Sequence, residues 1–542
     1  MIKSLTFFVS ITISSLVFSQ SSAVYEQRLK NYDVLSYEFS IDLDKYSDTI
    51  RVLEIVYINL KTKNATVILD LINDDGMGGM EVSSVEYMDG PHEFISPSSN
   101  WSHKNNILTL PYIPKIGGVM YKITYKGVPK DGLVISENKF GCRTYFGDNW
   151  PTRARNWLAC VDHPLDKAKV SFNVITDTVN QVIANGLLLG VKMHSSDKIK
   201  YSYATSYEIP TKVMVIGVAS FKVENLADLG NVSLSSWIYN CFSSEYDKKS
   251  FSDLKMAYEI LPYFIDKFGE YPYKKLANVQ STTRFGGMEN ASAIFYDENM
   301  VGSGKMEALI THEIAHQWFG NTATEHDFTH LWLSEGFATY FTDDYLGDKY
   351  GKSRMDERLK NERNRVISFL KKNKLPVVDT ITSDLMNLLN PNSYQKGAWV
   401  LHMLRDKVGD SAFFSGVRRY YQTYKWRNAK TSDFMAIMEK ECDCSLDNFF
   451  TQWLKQPGLP IIRVAYDMEK HLYLTIKQLQ NEDYSFPLTI RIHYKNGEHS
   501  DHKILIDDKI KTAVIFLKGS FEEIELDPHT KLLFEDSSAF DK

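Results

Sequence analysis

Two changes of texture divide the 542-residue chain and limit what it can fold into. From Val24 to about Glu224, short runs of β-branched and aromatic residues such as YEFSIDLD, TIRVLEIVYINL and VMYKITYKG recur. Turn residues, among them Asp74-Asp75-Gly76 and Asp89-Gly90-Pro91, separate these runs. Regular strands with turns predict an antiparallel sandwich or saddle-shaped sheet. After about residue 250 the apolar period becomes helical. Leu254, Ala257, Leu261 and Ile265 share a face, with Ser252 placed to cap it. Helical patterns continue over 306–319, 331–345, 394–408 and 410–424, and Thr431 and Ser432 are placed to cap the next one. One apolar stretch, 291–296, interrupts them. Gln456-Pro457-Gly458-Leu459-Pro460 closes the region, because Pro and Gly break helices. From Ile461 strict alternation returns. A single core stops growing near about 250–300 residues, so a chain of this length is multidomain. The reading is α+β: an antiparallel β-domain at 24–230, a mostly helical domain at 231–459 and a small β-sandwich at 460–542.

Residues 1–23 read as a secretory signal peptide. Lys3 supplies the positive start, 5–18 the apolar stretch, and small residues allow cleavage after Ser19 or after Ala23. The segment is too short and too Ser-rich to span a bilayer, and no Cys follows it for a lipid anchor. No later run of eighteen apolar residues exists. The mature chain is therefore expected to lack a transmembrane segment and to be secreted or periplasmic. A formal charge of -6 lacks the basic footprint of a nucleic-acid binder. With 43% hydrophobic and 24% charged residues, disordered, collagen-like and multi-span membrane chains are excluded. Five cysteines (142, 160, 241, 442 and 444) form neither a disulfide scaffold nor a zinc ribbon. Cys442 and Cys444 would be strained partners, and Cys142 with Cys160 is the candidate bridge. Sequons stand at Asn64, Asn100, Asn231 and Asn290.

The strongest chemical signal is His312-Glu313-Ile314-Ala315-His316. Histidines at i and i+4 lie one turn apart on one helix face and can grip a single Zn²⁺. Glu313 between them can face the water that such an ion lowers toward a pKa of about 7. Glu335, in LWLSEGFATYF on a second helical segment, completes a His-His-Glu set with the fourth position left to water. That is the open coordination of a catalytic zinc. Gly286-Gly287-Met288-Glu289-Asn290 stands upstream. The stretch ASAIFY after it is expected to form an edge strand that pairs with an extended peptide, placing Glu289 at the substrate's end to hold a free α-ammonium.

These segments resemble the gluzincin aminopeptidases of peptidase family M1. GGMEN, HEIAHQWFGN and LWLSEGFATYF stand in family order and spacing. SYQKGAWVLHML resembles the family's Tyr-x-Lys-Gly element, NFFTQWLKQPGLP its exit from the catalytic domain, and RNWLACVDHP the end of its amino-terminal β-domain. Motifs cover about 140–460, and the layout extends the likeness to the flanks. The resemblance implies a thermolysin-like catalytic domain with one Zn²⁺ per chain on His312, His316 and Glu335. Glu313 would be the general base and Tyr394 the donor to the tetrahedral oxyanion. Glu289 would bind the amino terminus, with Gly286, Gly287, Met288 and Asn290 lying along the substrate. The implied partners are peptides with a free N-terminus.

Three departures stand out. Gly287 replaces the family's usual Ala, a lost methyl expected to be tolerated with a looser loop. Trp150 stands where many members carry a Glu or Gln as a second amine anchor, leaving Asp148 or Asn149 as substitutes, or no second anchor. Many relatives continue into a helical domain that caps the site, so a more open site, or closure by a partner subunit, is expected here. The rivals are a zinc endopeptidase on the same scaffold, which would not need Glu289, and a non-catalytic peptide-binding relative. The preferred first residue and the oligomeric state are not written in the sequence.

Overall fold

Alternate residues of Tyr32–Asp44 and Ser47–Leu60 are buried, as strands covered on one face require. In the computed structural model, which describes residues 22–538 except 89, 91–92, 97–99, 241–243 and 470, these two strands form the middle of a large sheet. Its order is Leu187–Met193, Lys198–Ala204, Lys167–Asp177, Tyr32–Asp44, Ser47–Leu60, Gly117–Val128 and Gly79–Met88. Tyr32–Asp44 runs parallel to Lys167–Asp177, while the other neighbours along this order are antiparallel. The long excursion between those two strands allows the parallel pairing that a hairpin cannot make. Phe39, Ile41, Val56, Tyr121, Phe172 and Val174 close the buried face. The expected signal peptide lies outside the described residues but for Ser22 and Ala23, which open the helix Ser22–Asn31.

A second sheet of mixed direction carries the middle region. Its order is Phe221–Asn225, Ser233–Tyr239, Lys275–Ser281, Ala293–Asp297 and Gly287–Met288. The stretch expected at the edge is thus internal. Ala293–Asp297 is parallel to Lys275–Ser281 on one side and antiparallel to Gly287–Met288 on the other. The edge is the Gly-Gly-Met segment itself, because Ala293, Phe295 and Tyr296 are too apolar to stay exposed and are wholly buried.

Helices follow at Glu307–Ala315, Trp332–Tyr350, Lys352–Leu370, Gly397–Val408, Asp410–Tyr424 and Thr431–Cys442. The helix expected from Ser252 is instead two, Ser244–Leu254 and Ala257–Phe268, so Ser252 lies inside a helix and caps nothing. Thr431 is the first helical residue, and the backbone N–H of Lys430 before it donates to the Asp433 carboxylate at 2.7 Å. Beyond Pro460 two further sheets stand; Leu472–Gln478 alternates buried and exposed residues, and Phe486–Tyr494 alternates buried residues with half-buried or exposed ones. Among the described residues no helix is long and apolar enough to cross a membrane.

The cysteines depart from expectation. Cys442 and Cys444 are bonded across a Cα separation of 5.2 Å, with Asp443 between them in the left-handed region. Cys142 is exposed, Cys160 is buried, and both are free. Cys241 lies outside the described residues. Asn64, Asn100 and Asn231 are exposed, whereas Asn290 is buried and unavailable for glycosylation in the folded chain.

Candidate active site

Helix Glu307–Ala315 sets His312 and the next-turn His316 on one face, as 3.6 residues per turn requires. Helix Trp332–Tyr350 packs against it and presents Glu335 from its first turn. The three donor atoms converge. His312 Nε2 lies 3.1 Å from His316 Nε2, and Glu335 Oε2 lies 3.3 Å from the first and 3.2 Å from the second. Donors about 2.0–2.1 Å from a tetrahedral ion stand about 3.3–3.4 Å apart, so the triangle already has the dimensions of a metal site. His316 Nδ1 lies 3.1 Å from the Phe319 carbonyl and 3.1 Å from Ser334 Oγ. Nδ1–H donating to that carbonyl leaves the Nε2 lone pair for a metal.

The charges fit a cation equally well. The cavity between these helices and the Gly286–Glu289 segment is lined by Glu289, Glu313 and Glu335 and by neither Lys nor Arg. Burial pushes the Glu313 carboxyl well above its usual range, and Glu289 and Glu335 add to that against His316. Burial disfavours a charged His316, but Glu335 and Glu289 prevail and its pKa rises to about 10. Burial works against an ionised Glu335 too, yet His316 and His312 hold its carboxyl far below the ordinary value. Three acidic side chains gathered in so small a space favour a divalent cation among them. Glu289, Glu313 and His316 also lie within mutual reach, their donor atoms within 4.8 Å.

Of the residues singled out in the sequence, His312, His316, Glu335, Glu313, Tyr394, Glu289, Gly286, Gly287, Met288 and Trp150 line this cavity, while Asn290, Asp148 and Asn149 do not. Tyr394 sits in a wide helical turn, Asn392–Lys396, its ring nearly parallel to that of His312 with centroids 6.0 Å apart. Burial, then Glu335, pushes its hydroxyl well above the usual range, so it stays protonated as a donor. Glu289 is 5% exposed and its Oε1 has no partner. Its backbone carbonyl accepts from Gln317 Nε2 at 2.8 Å and Asn321 Nδ2 at 2.6 Å, which fixes the loop to the chain just after His316. Asn290 is turned into the protein with its amide unpartnered.

Neither proposed substitute for a second anchor is free. Asp148 pairs with Arg153 and Arg284. Asn149 donates to the Thr211 and Met214 carbonyls and accepts from Trp157 Nε1. Trp150 itself faces the cavity, joined by Phe285, Leu309 and Leu389, which the sequence reading missed. Leu309 carried a signal: it precedes Glu313 by one helical turn and so shares its face. Gln317 and Asn321, also missed, follow His316 within the quoted motif.

Comparison with known proteins agrees with this geometry. The model of the peptidase family M1 domain matches residues 252–453. A leucyl aminopeptidase of Saccharolobus solfataricus is 25% identical over 85% of this chain and 58% of its own length. A glutamyl aminopeptidase of Bos taurus is 26% identical over 69% and 41%. Aminopeptidase M1 of Arabidopsis thaliana is 27% identical over 74% and 49%. The chain thus spans about half the length of the curated relatives it matches. The His312, His316 and Glu335 triangle, the glycine-rich edge strand and the domain match all fall on the same residues, so residues 252–453 carry a peptidase family M1 domain.

Proposed function

We propose that the protein is a zinc aminopeptidase that removes single residues from the amino termini of peptides, acting outside the cytoplasm on a thermolysin-like scaffold. The observation that carries this reading is Glu289. A buried carboxylate oxygen without a partner lies in the same cavity as the metal-ligand triangle, a suitable acceptor for a substrate's ammonium. The cavity is about 260 Å³, near the lower end of the roughly 300–1,000 Å³ of common ligand pockets.

His312, His316 and Glu335 would hold the ion. Zinc, when bound, supplies the Lewis acid that polarises the scissile carbonyl and acidifies water. The outer edge of Gly287–Met288 is free to pair with the extended substrate, and Glu289 fixes its amino end. Glu313 takes the proton of the attacking water on its carboxylate and hands it to the leaving amine as the C–N bond breaks. The Tyr394 hydroxyl donates to the oxygen that gains charge as the carbonyl becomes tetrahedral.

The test is hydrolysis of aminoacyl amides beside their N-acetylated twins, with and without a zinc chelator. Cleavage is expected only with a free amine and only with metal. Equal cleavage of the acetylated twins would remove Glu289 from its role and favour an endopeptidase; absence of both bound zinc and turnover would favour a peptide-binding protein.

A further inference from the structure

We infer that the pocket for the substrate's first side chain selects a large apolar residue and rejects an acidic one, with Trp150 as its principal wall. The inference rests on the aminopeptidase reading. An ammonium at Glu289 and a scissile carbonyl at the metal-ligand triangle bracket the first Cα between them. Its side chain then meets the rest of the cavity lining, which is Trp150, Phe285, Met288, Leu309 and Leu389. Trp150 is 2% exposed and packs edge-on against Phe328, with centroids 5.7 Å apart, so the wall is held from behind.

Charge decides against an acidic side chain. It would bring a further carboxylate into a cavity already lined by three acidic side chains, with neither Lys nor Arg in the lining to meet it. Two cations lie close by, and both are committed. Arg153 sits behind the Phe285 ring, 5.8 Å from its centroid, and pairs with Asp131 and Asp148. Arg284 pairs with Asp131 at 2.6 Å and Asp148 at 3.5 Å. Shape favours bulk, because every methylene that reaches an apolar wall adds to discrimination.

The experiment is kcat/KM for the leucyl, methionyl, phenylalanyl, alanyl, glutamyl and aspartyl amides on the zinc-loaded full chain. The leucyl, methionyl and phenylalanyl amides should exceed the glutamyl and aspartyl ones by about 100-fold or more, and the alanyl amide by about tenfold. Trp150→Ala should shrink the phenylalanyl-over-alanyl ratio about tenfold. Leu389→Lys, which supplies the missing cation from another wall, should raise the glutamyl-to-leucyl ratio. Glutamyl or alanyl amide leading the wild-type panel would overturn the apolar pocket and leave the aminopeptidase reading standing. Silence on every free-amine substrate would overturn both.

Discussion

A Cβ on Gly287 would lie 2.3 Å from Glu313 Oε1, so the glutamate carboxylate fills the place a methyl would take. The sequence suggested only a loosened loop there; the space is in fact used by the group assigned as the base. The assignment of that group separates shape from proton transfer. Glu313→Gln keeps the volume and removes the acceptor. It should lower kcat by about 10²–10⁴-fold, the usual worth of a positioned base. Bound zinc, measured by atomic emission, should stay at one per chain, since Glu313 is not among the three ligands. A variant with parental kcat would move the base elsewhere. Tyr394→Phe should cost about 10²–10³-fold in kcat with KM little changed, as for loss of one oxyanion donor. His312 and His316 were legible because helical spacing sets them on one face, whereas Glu313 and Glu335, the latter on a second helix, were legible through the motifs that hold them. Tyr394 was legible only through its Tyr-Gln-Lys-Gly context, and Phe285 and Leu389 not at all, since an apolar residue in a loop carries no mark of the cavity it faces.

Between elements, the critical contact is made by backbone. A Cβ on Gly336 would lie 2.9 Å from Gly397 Cα, and one on Gly397 would lie 3.0 Å from Gly336 Cα. The helix of Glu335 and the helix following Tyr394 therefore touch main chain to main chain, which brings Glu335 and Tyr394 to one cavity. Gly336→Ala cannot be absorbed by a side chain turning aside. It should cost about 1–3 kcal/mol by overpacking and weaken zinc binding, measured by denaturant unfolding and by competition with a chelator. Neither glycine announced this role in the sequence, because the contact joins helices far apart along the chain. The edge strand was misread for a similar reason: two residues, Gly287 and Met288, become a strand only by pairing with Ala293–Asp297. Buried acids inside strands are equally silent. Glu54 is fully buried in Ser47–Leu60, its Oε1 unpartnered and its Oε2 accepting from the Tyr125 hydroxyl at 3.2 Å. Burial raises its pKa well above 4.5, so the folded chain binds this proton more tightly than the unfolded one. Its contribution is complete below the unfolded pKa and is lost as pH rises from there toward the folded value. Glu54→Gln abolishes that loss. Its unfolding midpoint should gain on the parent's between pH 5 and pH 8, and a constant difference would refute the buried proton.

At the scale of the whole molecule, the wall provided by Trp150 comes from the amino-terminal β region while the metal-ligand triangle comes from the helical region. The geometry of the cavity thus depends on how the two regions are joined. Lys212 and Glu325 make that junction as a direct ion pair, each 1% exposed. Glu325 ends the short strand Ala323–Glu325, just beyond His316, and Lys212 lies in the turn Thr211–Val213. Asn149 Nδ2 donates to the Thr211 carbonyl, so the turn that carries Lys212 also holds the residue next to Trp150. Lys167 Nζ adds a second bridge, donating to the Thr322 and Arg427 carbonyls at 2.9 and 3.0 Å. Removing one partner of a buried pair leaves the other charged and unmet, which typically costs about 3–5 kcal/mol, whereas replacing both with apolar residues is often neutral. Lys212→Met should therefore lower the unfolding free energy by about that amount, and Lys212→Met with Glu325→Leu should recover most of it. A chain of several regions need not unfold in one step, so the transition should be followed by tryptophan fluorescence and by loss of zinc together. If the pair also fixes the wall, the single variant should lose selectivity for a large first residue over alanine at temperatures where it is still folded. If stability falls while that ratio holds, the junction supports the fold without setting the shape of the pocket.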